Sequence, residues 1–131
     1  LGARSTLAVS GTGLTLSGVV DDNGYGLTLS GAGGTTLSNA NNTISSVLTN
    51  ATIGALSMKN NAALSVGAIN ATGDVTIANT AGLTLMTGQG IATTTGNIVL
   101  AGTKFINLAG ANALTVANGK NGWSGVPTQH H

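Results

Sequence analysis

The chain has no cysteine and no glutamate, one proline, and a single residue each of Trp, Tyr and Phe. With aromatics at 2% of 131 residues, burial must rest on Leu, Ile, Val and Ala, which suit a narrow interior. Charged residues make up only 5%, against ~25% in an ordinary soluble domain. The surface must therefore be built from Thr, Ser, Asn and Gly, which excludes a solvated charged helix face. Disorder is a poor alternative, because the mean hydropathy is +0.32 and disordered chains combine high charge with low hydrophobicity. The four cations, Arg4, Lys59, Lys104 and Lys120, stand singly in a chain of net charge +1. Nucleic-acid binding wants clustered cations and stacking aromatics, so no nucleic-acid partner is expected. No run approaches 18 apolar residues, so no membrane insertion is expected. The first residues carry no signal-peptide pattern, although the chain reads like a fragment and a leader could lie upstream. Freedom from cysteine suits a bacterial protein exported unfolded, and equally chance in a short chain.

What is present is a three-residue beat of apolar, small polar and apolar residues. Leu56-Ser57-Met58, Val75-Thr76-Ile77 and Ile98-Val99-Leu100 recur with steps of 19 and 23 residues. Leu64-Ser65-Val66, Leu83-Thr84-Leu85 and Ile106-Asn107-Leu108 recur with the same steps, and Ile69, Ile91 and Leu114 with steps of 22 and 23. Three short strands returning in one order describe a coil with three sides. No segment keeps a glycine-free helical period, and the 21 glycines would break helices and long strands alike. The expected fold is all-β: a right-handed three-sided parallel β-helix of about five coils, each roughly 19–23 residues, forming a rod about 24 Å long. Strand alternation turns Ser57, Thr76, Ser65, Thr84, Asn107 and Thr115 outward and stacks Leu64, Leu83 and Ile106 in one inward column.

Two corner features sharpen this expectation. Gly54, Gly73 and Gly96 each precede a first-side strand by two residues, as if a turn with positive φ recurred there. Asn60 and Asn79 share a register position, where asparagines could bond to one another in a ladder. Upstream, Leu7-Ala8-Val9, Leu14-Thr15-Leu16 and Val19-Val20 would make a first coil, and Leu27-Thr28-Leu29, Leu37 and Ile44 or Val47 a second. The 29 residues from Leu27 to Leu56 then demand an extra loop, placed at 38–43. Coils would thus fill 1–117, with a cap or linker at 118–129, where Trp123 and Val126 could fold over the end. His130-His131 reads as a tag remnant rather than a metal site.

Chemistry is sparse. The only acids are Asp21, Asp22 and Asp74. A polysaccharide-cleaving β-helix enzyme needs paired carboxylates or a calcium-assisted base in a groove. These three are too few and too far apart, so no catalytic residues are expected. Asp21-Asp22-Asn23-Gly24 lacks the further ligands and distal Glu of a calcium loop and reads as a turn, so no metal site or cofactor is assigned. Gly31-Ala32-Gly33-Gly34 has no Lys-Ser/Thr after it and is a turn, not a phosphate loop. Three sequons place Asn41, Asn50 and Asn70 in turn-like positions open to a glycosyltransferase, at a number chance would supply in so Asn- and Thr-rich a chain. Outward threonines raise ice or surface binding, for which the rows around Thr76 and Thr84 look irregular.

Gly73-Asp74-Val75-Thr76-Ile77-Ala78-Asn79 and Ala81-Gly82-Leu83-Thr84-Leu85 resemble repeats of filamentous haemagglutinin-type exoproteins, the secreted partners of two-partner secretion systems. Lys104-Phe105-Ile106-Asn107-Leu108-Ala109-Gly110-Ala111-Asn112-Ala113-Leu114 resembles a Phe-x-Asn-x-Ala-Gly-Ala-Asn-Ala-Leu segment of large haemagglutinin-like proteins, with Leu108 in place of a commoner Asn. The resemblance spans roughly residues 50 to 117. It implies a β-helix rod, secreted or on the bacterial cell surface, for adhesion, aggregation or biofilm matrix. The Asn-Pro-Asn motifs of the family's secretion domain are missing, Pro127 being the only proline, so the chain looks like shaft. The resemblance implies host-surface or matrix glycans as partners, while terminal coils with unpaired backbone groups and little charge lead one to expect neighbouring coils of a parent protein and end-to-end self-association of copies.

Overall fold

The computed structural model describes residues 4–107 and 113–116. Short strands follow one another along the chain: β1 (Ser5–Ala8), β2 (Leu14–Leu16), β3 (Leu27–Ser30), β4 (Thr35–Leu37), β5 (Ser46–Thr49), β6 (Leu56–Asn60) and β7 (Leu64–Val66). They continue with β8 (Ile69–Ala71), β9 (Val75–Asn79), β10 (Gly82–Leu85), β11 (Ile91–Thr93), β12 (Ile98–Ala101), β13 (Lys104–Ile106) and β14 (Leu114–Thr115). Every pairing between them is parallel, and three sheets result. The first runs β1-β3-β5-β7-β10-β13, the second β2-β4-β6-β9-β12, and the third β8-β11-β14. Each strand lies against its equivalent one coil away. The fold is a three-sided parallel β-helix of about five coils, as the beat predicts.

The apolar positions stack into columns that form the core. Leu37, Met58, Ile77 and Leu100 are in register on the second sheet, Leu64 and Leu83 on the first, and Ile69, Ile91 and Leu114 on the third. All but Leu114 are at most 2% exposed. Each such aliphatic side chain contributes about 1.5–3 kcal/mol on leaving water. Between them Ser57 is exposed, while Ser65, Thr76 and Thr84 are half-buried on the outer surface.

The first two coils differ from the expected register. Leu27 pairs with Val47, not Leu56, and the partner of Leu56 is Thr35. Leu7 and Leu29 belong to the first sheet, and Leu14 and Leu37 to sheets one side removed from their expected places. Here the third side is reduced to two glycine-bearing turns, residues 9–13 and 31–34. Those turns offer little to bury beyond Val9, so no third strand forms. The chain saved there is spent at the opposite corner, which takes residues 17–26 and 38–45, against 61–63, 80–81 and 102–103 later on. The loop expected at 38–43 is therefore a widened corner with a counterpart one coil earlier, in coils of ordinary length. Val19 and Val20 lie in that corner rather than on a third side.

A second correction lies near the end. Leu83 pairs with Phe105, and Ile106 pairs with Thr84 and is 40% exposed. A slip of one residue exchanges the two faces of a strand. Here it turns the bulky Phe105 toward the core and ends the strand at Asn107, whose φ of 67° belongs to a turn. Leu108, the segment 118–129 with Trp123 and Val126, and the terminal histidines lie outside the described residues.

The corner column of Gly54, Gly73 and Gly96 exists for a different reason than expected. None of the three has positive φ. Instead successive corners touch: the Gly73 N–H donates to the Gly54 carbonyl at 2.6 Å, and a Cβ on Gly96 would lie 2.3 Å from the Gly73 carbonyl carbon. At Gly54 and Gly96 the neighbouring backbone leaves no room for a Cβ, and at Gly73 a Cβ would sit tightly, 3.1 Å from the Gly54 carbonyl oxygen. The asparagines also act otherwise than as a ladder. Asn60 and Asn79 are in register, but Asn60 Oδ1 accepts the Ile44 N–H and its Nδ2 donates to the carbonyls of Ile44 and Ala62. Asn79 Nδ2 donates to the Ala81 and Gly82 carbonyls. Both side chains staple the corner backbone, where a buried amide or carbonyl would otherwise go unpaired.

Candidate functional surfaces

The acidic residues are dispersed. Asp21 and Asp22 sit in the widened corner before β3, and Asp74 in the corner before β9, some two coils further along. Asp22 is wholly buried. Its Oδ2 accepts the Ser45 N–H and hydroxyl, both at 2.8 Å, and the Ser46 N–H at 3.4 Å, while Oδ1 accepts the Gly24 N–H at 3.0 Å. Burial alone would raise its pKa, but the Ser45 hydroxyl and the three backbone N–H groups together hold it below the ordinary carboxylate range. Such a carboxylate is a clamp between two coils. Asp74 Oδ1 accepts the Asn97 N–H at 2.8 Å, again one coil away. Asn23, with φ 52°, occupies the turn at Asp21–Gly24, and its N–H donates to Asp21 Oδ1. Among the described residues no three His, Cys, Asp or Glu side chains gather where a metal could sit.

Arg4 is exposed, and it too is used between coils: its guanidinium donates to Thr28 Oγ1 and Ser46 Oγ, both at 3.0 Å. Asn42, fully buried, accepts the Val20 N–H at 2.7 Å and donates to the Lys59 carbonyl at 3.1 Å. Charge and amide groups that sequence reading sets aside as plain turn residues thus hold the first coils together. The spacing of about one coil between partners, as from Asp22 to Ser45, is the signal that could have found them.

The outer faces are the remaining place for function. On the second sheet, Thr15, Thr36, Ser57, Thr76 and Val99 form one row across five strands. Beside it run Lys59, Ala78 and Ala101. Strands about 4.8 Å apart make this a flat strip of small side chains with one cation at its border. Its regularity exceeds what the sequence suggests, because Thr15 and Thr36 join the row only once the first coils take their true register. The first sheet's row of Ser46, Ser65, Thr84 and Ile106 is less uniform. The third sheet presents Asn70, Ala92 and Thr115. The sequon residues Asn41, Asn50 and Asn70 are all exposed, whereas Asn42 beside Asn41 is buried. No helix among the described residues is long and apolar enough to cross a membrane.

The architecture defines the chain as a parallel β-solenoid scaffold with small, largely uncharged outer faces. No protein-family model matches the sequence, and neither a curated protein nor a solved structure is similar to it at a significant level.

Proposed function

We propose that this chain is a shaft segment of a bacterial secreted or cell-surface adhesin of the filamentous haemagglutinin type, which presents or makes adhesive, aggregative or matrix contacts. The observation that carries this reading is the division of labour in the side chains. Arg4, Asp22 and Asp74 bond from coil to coil, while the outer strip is left to Thr15, Thr36, Ser57 and Thr76. A rod made this way resists unfolding and offers hydroxyls, side by side, to the hydroxyls of matrix or host-surface glycans. Of the three carboxylates, Asp22 is buried on the Ser45, Ser46 and Gly24 donors, and Asp74 is bonded to the Asn97 N–H, so both serve the scaffold.

The test is binding of the purified rod to bacterial matrix polysaccharide and to arrayed host glycans. The triple variant T36E/S57E/T76E should lose at least tenfold in binding while keeping its fold, since the three side chains are on the outer surface. Binding that the triple variant leaves intact, or turnover of the polysaccharide, would overturn the proposal. A second reading, a surface that orders water or ice, is favoured by one specific feature, the continuous row from Thr15 to Thr76. Thermal hysteresis abolished by Thr36→Lys would establish it in place of the first.

A further inference from the structure

The outer face of the second sheet is three rows of residues wide. Its centre is the row of Thr15, Thr36, Ser57, Thr76 and Val99. One flank holds Lys59, followed by Ala78 and Ala101. The other holds Ala55, Asp74 and Asn97, each one residue before the paired Leu56, Val75 and Ile98. Lys59 and Asp74 are exposed, and among the described residues of these rows they are the only charges. They stand on opposite flanks, one coil apart. At about 3.4 Å per residue, the four steps from Ala55 to Lys59 set the flanks about 14 Å apart. That is too far for Lys59 and Asp74 of one chain to pair. Asp74 gives one oxygen to the Asn97 N–H and has a second to offer.

Charge and shape together select what fits this face. Most of its side chains are small, so a second flat face can come close, and Val99, Ala78 and the threonine methyls supply apolar contact. A partner needs an anion for Lys59 and a cation for Asp74, on flanks crossed with respect to this face. The same face of a second copy has both. A two-fold axis along the rod, over the centre row, sets each flank against the opposite flank of the other copy. Ser57 then meets Ser57, and Thr76 meets Thr76. Lys59 comes over the second copy's Ala55, one strand spacing of about 4.8 Å from its Asp74 and within reach of a lysine side chain. Symmetry makes this contact twice. A two-fold axis across the rods keeps like flanks together, so neither charge finds its opposite. The first sheet lacks this self-complementarity: it has Arg4 and Lys104 toward its two ends, no acidic residue in its strands, and the bulky Ile106 40% exposed.

We infer that this face is a lateral homodimer interface, in which two rods lie side by side and point the same way, with Lys59 of each copy bonded to Asp74 of the other. The strip measures about 24 Å by about 14 Å, roughly 340 Å² on each copy, against about 800 Å² per partner in a stable complex. The pair is therefore weak for this length of rod, and its area grows with every further coil of the same kind. Shafts fixed to one surface point the same way, so this pairing is the aggregative contact of the proposed function. It rests on that reading and on the same strip, but on no glycan.

Carbodiimide coupling reads the contact directly, because it joins only an amine and a carboxylate that already touch. At low salt and protein concentrations up to on the order of 1 mM, it should give a covalent dimer whose peptide map carries a Lys59–Asp74 amide. Within one chain the geometry forbids that link. Sedimentation under the same conditions should show a monomer–dimer equilibrium that added salt weakens. Lys59→Asp sets like charges together at both contacts and should weaken pairing about tenfold, with the circular dichroism spectrum unchanged because Lys59 is exposed. Asp74→Lys should do the same, and an equimolar mixture of the two variants should pair, since each then meets its opposite. Asp74→Lys also gives up the Asn97 N–H bond; were it to unfold, the cross-link and Lys59→Asp decide alone. A strict monomer over that range, a dimer without the Lys59–Asp74 link, pairing indifferent to Lys59→Asp, or two folded variants that do not pair when mixed would each overturn the inference. Glycan binding by a rod that stays monomeric would sink the pairing and leave the adhesive reading standing. Pairing by a rod that binds no glycan would do the reverse.

Discussion

The coils from β6 to β12 and the two coils before them carry the same fold by different means. In the later coils the apolar columns are complete: Leu56, Val75 and Ile98 follow one another in register, and so do Met58, Ile77 and Leu100. The corners there are short, and glycine lets them touch. In the first two coils Thr35 stands where Leu56 stands later, the third side is missing, and the widened corner holds Asp22 and Asn42 wholly buried. There polar side chains supply what the apolar columns do not. Hydrophobic burial is tolerant of its partner, whereas a buried carboxylate or amide requires donors and acceptors in place. The later coils are therefore expected to tolerate conservative apolar exchange, and the first two to tolerate little change at a few polar positions.

The largest effect expected is at Leu83, which is 0% exposed in β10, between β7 and β13 of the first sheet. Leu83→Asp buries an unpaired charge and should cost about 4 kcal/mol or more, read as a collapse of the urea unfolding midpoint. A loss below 1 kcal/mol would mean that the later coils do not depend on their columns.

Glycine sharpens the contrast between close and open corners. Gly96→Ala forces a Cβ into the Gly73 backbone and should destabilise by about 1–3 kcal/mol. Gly18→Ala, in the widened corner with no atom within 4 Å of the new Cβ, should change stability by less than about 0.5 kcal/mol. Equal effects in thermal unfolding would show that the two kinds of corner are equally packed.

The polar clamp gives a smaller effect with a distinct pH signature. Asp22→Asn keeps the shape but sets an NH2 against the N–H donors, at a cost of about 1–3 kcal/mol near neutral pH. The folded-state pKa of Asp22 lies below its ordinary value of 3.8, so its contribution is fully present above about that pH and is lost as pH falls through the depressed value. The stability difference between the native chain and Asp22→Asn should thus shrink on acidification below about pH 3.8. A difference that stays constant from neutral to strongly acid pH would remove the charge from the explanation.

The same contrast marks how far reading the sequence reached. From Leu56 onward the triplets announce themselves, and the columns of Leu64 with Leu83 and of Ile69, Ile91 and Leu114 are where periodicity puts them. Thr35 hides the strand that aligns with Leu56, so Leu27 was the natural but mistaken choice for that place. Near the end, Phe105 and Ile106 are both apolar, and nothing in their spacing says which of the two faces inward. The outer row was legible as Ser57, Thr76 and Val99, while Thr15 and Thr36 awaited the correct register. The clamps on Asp22, Asn42 and Arg4 left no mark in the local pattern, because their partners lie some 17 to 42 residues away, and only the coil period, once its register is right, brings those partners together.

By itself, then, the sequence determined that the chain is a β-solenoid, since a period of two within strands and of about 20 between them can bury its apolar side chains in no simpler way. It also determined the composition of the outer faces between Leu56 and Leu100, because alternation sends the centre of each triplet there outward. Only the tertiary structure decided which side each early strand occupies, how the last strand is phased, and which polar groups are buried. Those choices depend on hydrogen-bond partners one coil away. Parallel stacking places residues about 20 apart in contact, and a local pattern carries no record of that pairing.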